Sequence, residues 1–185
     1  MSVQEFLAWE ERQEARWEFD GFEPVAMTGG TEVHEGIGTR LRTLLDTRLM
    51  GKRCRVRGPT MKIEVVGRIR YPDAVVSCTP LGRGDTVIRD PVVVFEVLSP
   101  GTSRIDRIEK LREYQATPSI QRYVILEPDS IAATVFTRRG EDWIGSALIT
   151  GDTLVMPEID VAIPLSEIYA DVELETPEPG DADAA

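Results

Sequence analysis

The sequence has few of the residues that build soft-metal and redox sites: among 185 residues one is histidine, His34, and two are cysteine, Cys54 and Cys78. A single histidine excludes a multi-histidine metal centre. The cysteines form no CxxC pattern and fall in strand-like segments, so buried reduced thiols are expected ahead of a disulfide or a zinc site. Long apolar runs are also missing. The longest are strand-sized, which excludes a membrane-spanning helix, and the start, Met1-Ser2-Val3-Gln4-Glu5-Phe6, lacks the basic and apolar regions of a signal peptide. A cytoplasmic location is the expectation. Basic residues are the minority, 21 Lys and Arg against 32 Asp and Glu, and the resulting net charge of −11 by itself argues against a polyanionic partner.

What is present fits one globular domain. With 42% hydrophobic and 29% charged residues, the chain can bury a substantial core over residues 1–174. Residues 175–185 are acidic and rich in small residues and proline, the composition of a disordered tail. The charge is unevenly spread. Arg40, Arg42, Arg48, Lys52, Arg53, Arg55, Arg57, Lys62, Arg68 and Arg70 face only Asp46 and Glu64 between positions 40 and 70. That segment reads either as a phosphate-facing surface or as a solvated face of helix and strands.

Hydrophobic periodicity gives the order of elements. Ser2 and Glu5 have capping-box spacing and open a short helix. A second helix follows the Thr28-Gly29-Gly30-Thr31 turn, with Val33, Ile37, Leu41, Leu44, Leu45 and Leu49 on one stripe and Gly51 at its stop. Arg53 to Arg57, Met61 to Val66 and Ile69 to Cys78 read as strands, and Pro91 to Leu98 as a central strand. After the Ser99-Pro100-Gly101 break a helix is predicted from about Arg104 to Ala116, then a strand over Arg122 to Leu126. A hairpin turns at Arg138-Arg139-Gly140, and a last short helix covers Ser166 to Tyr169. This order predicts an α/β fold, a mixed sheet flanked by helices.

One residue conflicts with its surroundings. Pro91-Val92-Val93-Val94-Phe95-Glu96-Val97-Leu98 is apolar on both alternating faces, the pattern of a strand buried on both sides, yet it carries Glu96. An ionised carboxylate there needs a basic side chain or a metal ion beside it. Asp73 lies in a neighbouring strand segment behind Pro72, so the two acids can stand side by side with a divalent ion between them. Asp106, Lys110 and Tyr114 follow at four-residue steps on one helix face, and Lys110 can reach back over the sheet.

In this order, Pro72-Asp73, Phe95-Glu96-Val97-Leu98-Ser99-Pro100 with Thr102-Ser103, Asp106, Lys110, Tyr114, and Tyr123-Val124-Ile125-Leu126-Glu127-Pro128 resemble the Uma family of bacterial restriction-endonuclease-like proteins, within the PD-(D/E)XK nuclease superfamily. Trp17-Glu18-Phe19-Asp20-Gly21 is similar to the family's aromatic-Glu-x-x-Asp-Gly entry with one residue fewer. The resemblance implies a restriction-endonuclease-like core and a Mg²⁺-dependent endonuclease acting on nucleic acid, DNA in the first place, with Mn²⁺ as a possible substitute ion. It implies Asp73 and Glu96 as metal ligands and Lys110 as the catalytic base or charge stabiliser. His34, Asp106 and Glu18 are supporting candidates, and a homodimer is the expected assembly.

The chain departs from the superfamily pattern at one position: Leu98 stands two residues after the acid, where a lysine is usual. Lys110 on the following helix is the substitute. Plainer roles compete for each residue. Ser103 and Asp106 have capping-box spacing, Asp106 and Lys110 form a favourable helical pair, Glu96 can pair with an arginine, His34 can be a helix-start or packing residue, and Glu18 an exposed helical acid. The alternative function is a non-catalytic nucleic-acid-binding or assembly protein that retains the nuclease fold.

Overall fold

The computed structural model describes residues 1–27, 29–99 and 105–174, apart from the side chains of Ile105 and Asp106. The first half of the chain contains α1 (Val3–Glu10), β1 (Trp17–Phe19), β2 (Pro24–Ala26), α2 (Glu32–Leu49), β3 (Arg55–Arg57), β4 (Lys62–Val65), β5 (Arg68–Arg70), β6 (Ala74–Ser77), β7 (Val87–Ile88) and β8 (Pro91–Val97). The second half contains a π-helical turn (Ile105–Lys110), α3 (Leu111–Ala116), β9 (Arg122–Leu126), β10 (Ala132–Arg139), β11 (Asp142–Ile149), β12 (Thr153–Met156), β13 (Val161–Pro164) and α4 (Leu165–Ile168).

The two early helices begin where their caps predict. Ser2 Oγ accepts the Glu5 N–H while the Glu5 carboxylate accepts the Ser2 N–H, closing the capping box of α1. Thr31 caps α2 by accepting the His34 N–H, and Gly51 follows its end with a φ of +77°, a conformation glycine adopts without a Cβ penalty. The predicted stripe of α2 is buried through Ile37, Leu41, Leu45 and Leu49.

Two sheets share the core. The larger has the order β11-β10-β9-β8-β6-β3 and is antiparallel except for β8 and β9, whose parallel pairing requires the helical crossover between them. Its one face, with Ala74, Val76, Val93, Phe95, Val97 and Val124, packs on α2 and on the β12–β13 hairpin with α4. The opposite face, with Val75, Val94, Leu98, Tyr123 and Ile125, meets Tyr114 of α3 and Ile63, Val65 and Ile88 of the second sheet. β8 is therefore covered on both sides, as its apolar run requires. The smaller sheet, β2-β1-β5-β4-β7, joins α1 through Phe6, Phe19, Ile69 and Val87.

Four local readings change. The segment from 69 to 78 is two strands in two sheets, because Tyr71-Pro72-Asp73 interrupts it and Pro72 has no N–H to give a ladder. Asp73 thereby sits where the chain passes from one sheet to the other. Glu18 is in strand β1 and largely buried, with a side-chain exposure of 13%, so it is no exposed helical acid. The helix before Ala116 opens with a π turn, and the capping pair of Ser103 and Asp106 and the acidic tail from 175 lie outside the described residues. Finally, Cys54 and Cys78 form a disulfide rather than two thiols. They occupy the rung next to the Arg55–Ser77 pair of β3 and β6, a register that their sequence spacing does not reveal.

None of the described helices is long and apolar enough to cross a membrane. The β4–β5 hairpin closes on the Val65–Arg68 pair through Val66 and Gly67, both with positive φ (41° and 77°), as a two-residue turn of this type demands. Valine is an unusual occupant of that conformation because its branched Cβ is crowded there. Val66 and Phe22 are both exposed, 46% and 78% respectively.

Candidate active site

The charge on Glu96 is met by a side chain. Glu96 is 4% exposed and Lys110 5% exposed, and the Lys110 ammonium lies 2.9 Å from Glu96 Oε1. The Tyr114 hydroxyl donates to the same oxygen at 2.9 Å. Lys110 ends the π turn and Tyr114 follows four residues later in α3, so both fall on the helix face turned to β8. Burial, with the neighbouring Glu96 charge, raises the Tyr114 pKa well above its ordinary value, which keeps the hydroxyl a donor. Leu98, at the position where the resemblance would place a lysine, is 4% exposed and packs with Tyr114, Ile120, Tyr123 and Ile125. The strand position is core, and the cation arrives from the helix.

Asp73 stands beside Glu96 by register. Ala74 pairs with Phe95 across β6 and β8, so the next rung sets Asp73 opposite Glu96. Asp73 Oδ2 accepts the Val97 N–H at 2.7 Å and lies 3.2 Å from His34 Nε2. Arg42 donates to the Asp73 carbonyl at 3.2 Å, fixing the same corner through α2. His34 fits because Gly30 has no side chain: a Cβ there would fall 2.8 Å from His34 Nδ1. The hydrogen bond to Asp73 raises the His34 pKa; burial opposes this, and the charges of Asp73 and Glu35 add to the rise. The residue with the plainest sequence reading, a helix-start histidine, is thus also a partner of the candidate acid.

Glu18 joins the site from the other sheet. Its Oε1 accepts the Tyr71 N–H at 3.0 Å and lies 3.7 Å from the Lys110 ammonium, while Oε2 accepts from Arg70 at 3.0 Å. Burial alone would raise its pKa, but the charges of Lys110 and Arg70 and the Tyr71 N–H together hold it below the usual carboxylate value. Arg70 in turn grips Glu113 of α3 with two bonds, 2.8 and 2.6 Å, and Arg68 approaches the same carboxylate at 3.2 Å. Sequence reasoning missed Arg70 and Glu113 as partners. Their one sequence signal is a charged side chain on a half-apolar element, too common to single them out.

Six of the ten basic residues between 40 and 70 are held in ion pairs. Arg42, Arg48, Lys52, Lys62, Arg68 and Arg70 pair with carboxylates from elsewhere in the chain or the same helix. Arg40, Arg53, Arg55 and Arg57 donate to backbone carbonyls. Arg53 and Arg55 are exposed, so part of the positive charge stays at the surface.

The model of the Uma2 family, described as "Putative restriction endonuclease", matches residues 3–164. The chain belongs to this family. The uncharacterized protein slr1290 of Synechocystis sp. is 34% identical over 173 residues, covering 91% of each chain. A crystal structure from Anabaena variabilis, titled a "putative nuclease belonging to DUF820", superposes with a TM-score of 0.75 at 14% identity, covering 91% of this chain and 97% of that one. The fold is accordingly the mixed α/β, restriction-endonuclease-like one.

The donor set fits a hard divalent cation. Asp73 and Glu96 offer carboxylate oxygens from facing strand positions, Asp73 is anchored through Oδ2, and its Oδ1 accepts no hydrogen bond among the described residues. Two carboxylates are the share that Mg²⁺ commonly takes from a protein, the remainder being water and substrate oxygens. Among the described residues no group of three or more His, Cys, Asp or Glu side chains gathers as a metal cluster. Asp106 adds nothing to this count, since its side chain lies outside the described residues.

Two measurements test the site. In the metal-free protein the single histidine should titrate above its ordinary value near 6.5 by NMR. A raised folded pKa stabilises below the unfolded pKa, so the stability gap between the native protein and His34→Gln should be full below about pH 6.5. The gap should close as pH rises through the folded pKa, and a gap that widens instead would contradict the Asp73 contact. Separately, Lys110→Met is expected to cost about 3–5 kcal/mol in denaturant unfolding by stranding a buried carboxylate, with much of the loss recovered when Glu96→Gln is added. An equal loss in the double variant would show that Lys110 acts on stability in another way.

Proposed function

We propose that the protein is a Mg²⁺-dependent endonuclease that hydrolyses phosphodiester bonds in DNA, with Asp73 and Glu96 as the metal ligands and Lys110 as the catalytic base or charge stabiliser. The observation that carries the reading is the Lys110 ammonium 2.9 Å from Glu96, on the carboxylate that faces Asp73 across the strand pair. A lysine beside paired acids is the set that phosphodiester hydrolysis uses, and here the helix supplies it in place of Leu98. When bound, Mg²⁺ (or Mn²⁺) supplies Lewis acidity, offsetting charge on the phosphate oxygens and acidifying a water.

The remaining work falls to the chain. Lys110, held between Glu96 and Glu18, places its positive charge beside the paired acids, where an oxygen nucleophile or a phosphate oxygen develops charge. His34 and the Val97 N–H keep the Asp73 carboxylate from rotating away from Glu96. Glu18, 3.7 Å away, helps hold Lys110 in place. The second reading, a non-catalytic nucleic-acid-binding or assembly protein, is favoured by Leu98, which closes the usual lysine position with core.

Calorimetry and cleavage separate the two readings. The endonuclease should bind Mg²⁺ at neutral pH, lose that binding in Asp73→Ala and Glu96→Gln, and nick or cut DNA with Mg²⁺ or Mn²⁺. Glu96→Gln should fall by about 100-fold or more in rate, the scale of removing one strong electrostatic contributor. Metal binding that survives both substitutions would remove the metal assignment, and binding without cleavage of single- or double-stranded DNA would favour the second reading.

A homodimer belongs to the same proposal. β11 is the outer strand of the six-stranded sheet, eight residues long, with Ile144 54% and Ile149 63% exposed and no basic residue along it. An apolar edge of this length is a template for pairing with a second copy. Sedimentation equilibrium should give twice the 20.6 kDa chain mass, and a single-chain mass at high protein concentration would discard the dimer.

A further inference from the structure

A cleft of about 500 Å³ is lined among others by Phe22, Val66, Arg68, Arg70, Glu109 and Arg112. It lies in the size range of about 300–1,000 Å³ that small-ligand sites occupy. Two of its lining residues, Arg70 and Glu113, belong to the buried network: Arg70 bonds Glu18 at 3.0 Å, and Glu18 lies 3.7 Å from Lys110. Its exposed lining is partly apolar. Phe22 is 78% exposed, and Val66 projects from a turn whose backbone it enters at a φ of 41°.

The polar groups of the cleft are of two kinds. Arg70 and Glu113 are spent on each other. Arg112 and Glu109 make no hydrogen bond or ion pair among the described residues, so a donor and an acceptor stand open on one wall. The three arginines of the lining are balanced by Asp20, Glu109 and Glu113. A phosphate would find no excess positive charge there. A neutral, flat group with donors and acceptors on its edge would find an aromatic ring to stack on, a guanidinium to donate and a carboxylate to accept.

We infer that this cleft is a subsite for one unpaired nucleobase of a bound strand, stacked on Phe22 and read at its edge by Arg112 and Glu109. The inference rests on the nucleic-acid reading above. Stacking on an aromatic ring accepts any base, and the Glu109–Arg112 pair adds preference for bases with both an amino group and a ring acceptor.

The test uses the full chain in Ca²⁺ with no Mg²⁺ or Mn²⁺, and a short fluorescein-labelled single-stranded oligodeoxynucleotide read by anisotropy. Phe22→Ala should weaken binding about ten-fold, the scale of one lost base–aromatic stack, while Phe22→Trp retains it. Arg112→Ala should weaken it in the same direction. A matching chain of abasic residues should bind the native protein weakly and should not distinguish Phe22→Ala from it. The subsite is overturned if Phe22→Ala binds the oligonucleotide like the native protein, if it loses the abasic chain equally, or if the native protein binds no oligonucleotide. Cleavage measured separately with Mg²⁺ keeps the two ideas apart: a protein that cuts but ignores Phe22→Ala loses only the subsite, and one with base-dependent binding that never cuts loses only the endonuclease.

Discussion

Burial of the Glu96 charge is the constraint on which the other parts of the site depend. A carboxylate in a strand covered on both faces loses its water, and the fold answers with the Lys110 ammonium and the Tyr114 hydroxyl on one oxygen. The lysine needs its own support, so Glu18 stands 3.7 Å away, and Glu18 needs Arg70, which needs Glu113. Charges alternate in sign along this chain from β8 through the helical turn to β1, β5 and α3. The small sheet and the crossover helix are thereby joined to the large sheet by polar contacts as well as by apolar packing.

The place of the lysine has a structural consequence. With Leu98 on the strand, the face of β8 below Glu96 continues the core through Ile125, Tyr123 and Ile120 without a second charge. The ammonium comes instead from a π turn, a widened helical turn that is found more often at functional sites than elsewhere. Its position then follows the helix and not the sheet. The geometry of the acids is set by strand register, whereas the geometry of the lysine is set by how the crossover packs.

Much of this was legible. The apolar run around Glu96 reads as a double-covered strand because alternate positions on both faces are apolar, and the four-residue step from Lys110 to Tyr114 reads as one helix face. Asp73 is legible through Pro72, which ends a ladder. The capping box at Ser2 and the stop at Gly51 are legible because both are local. Glu18 was misplaced because a helical pattern and a three-residue strand are hard to separate near Trp17; the strand pairs with β2 and, through Phe19 and Ile69, with β5 in a distant segment. The basic stretch stayed open between two readings for a related reason: its partners, among them Glu10, Glu113, Asp160 and Glu167, lie far away in sequence.

The sequence by itself determined that the buried strand carries an acid, that a second acid and a lysine lie within reach, and which family the chain resembles, because these depend on local pattern and on ordered motifs. Only the tertiary structure decided that Lys110 is the partner of Glu96, that His34 meets Asp73, that Glu18 and Arg70 close the network, and that Cys54 faces Cys78. Each of these is a contact between segments whose separation in sequence says nothing of their distance. Strand register and the packing of the crossover bring them together, and both are products of the whole core.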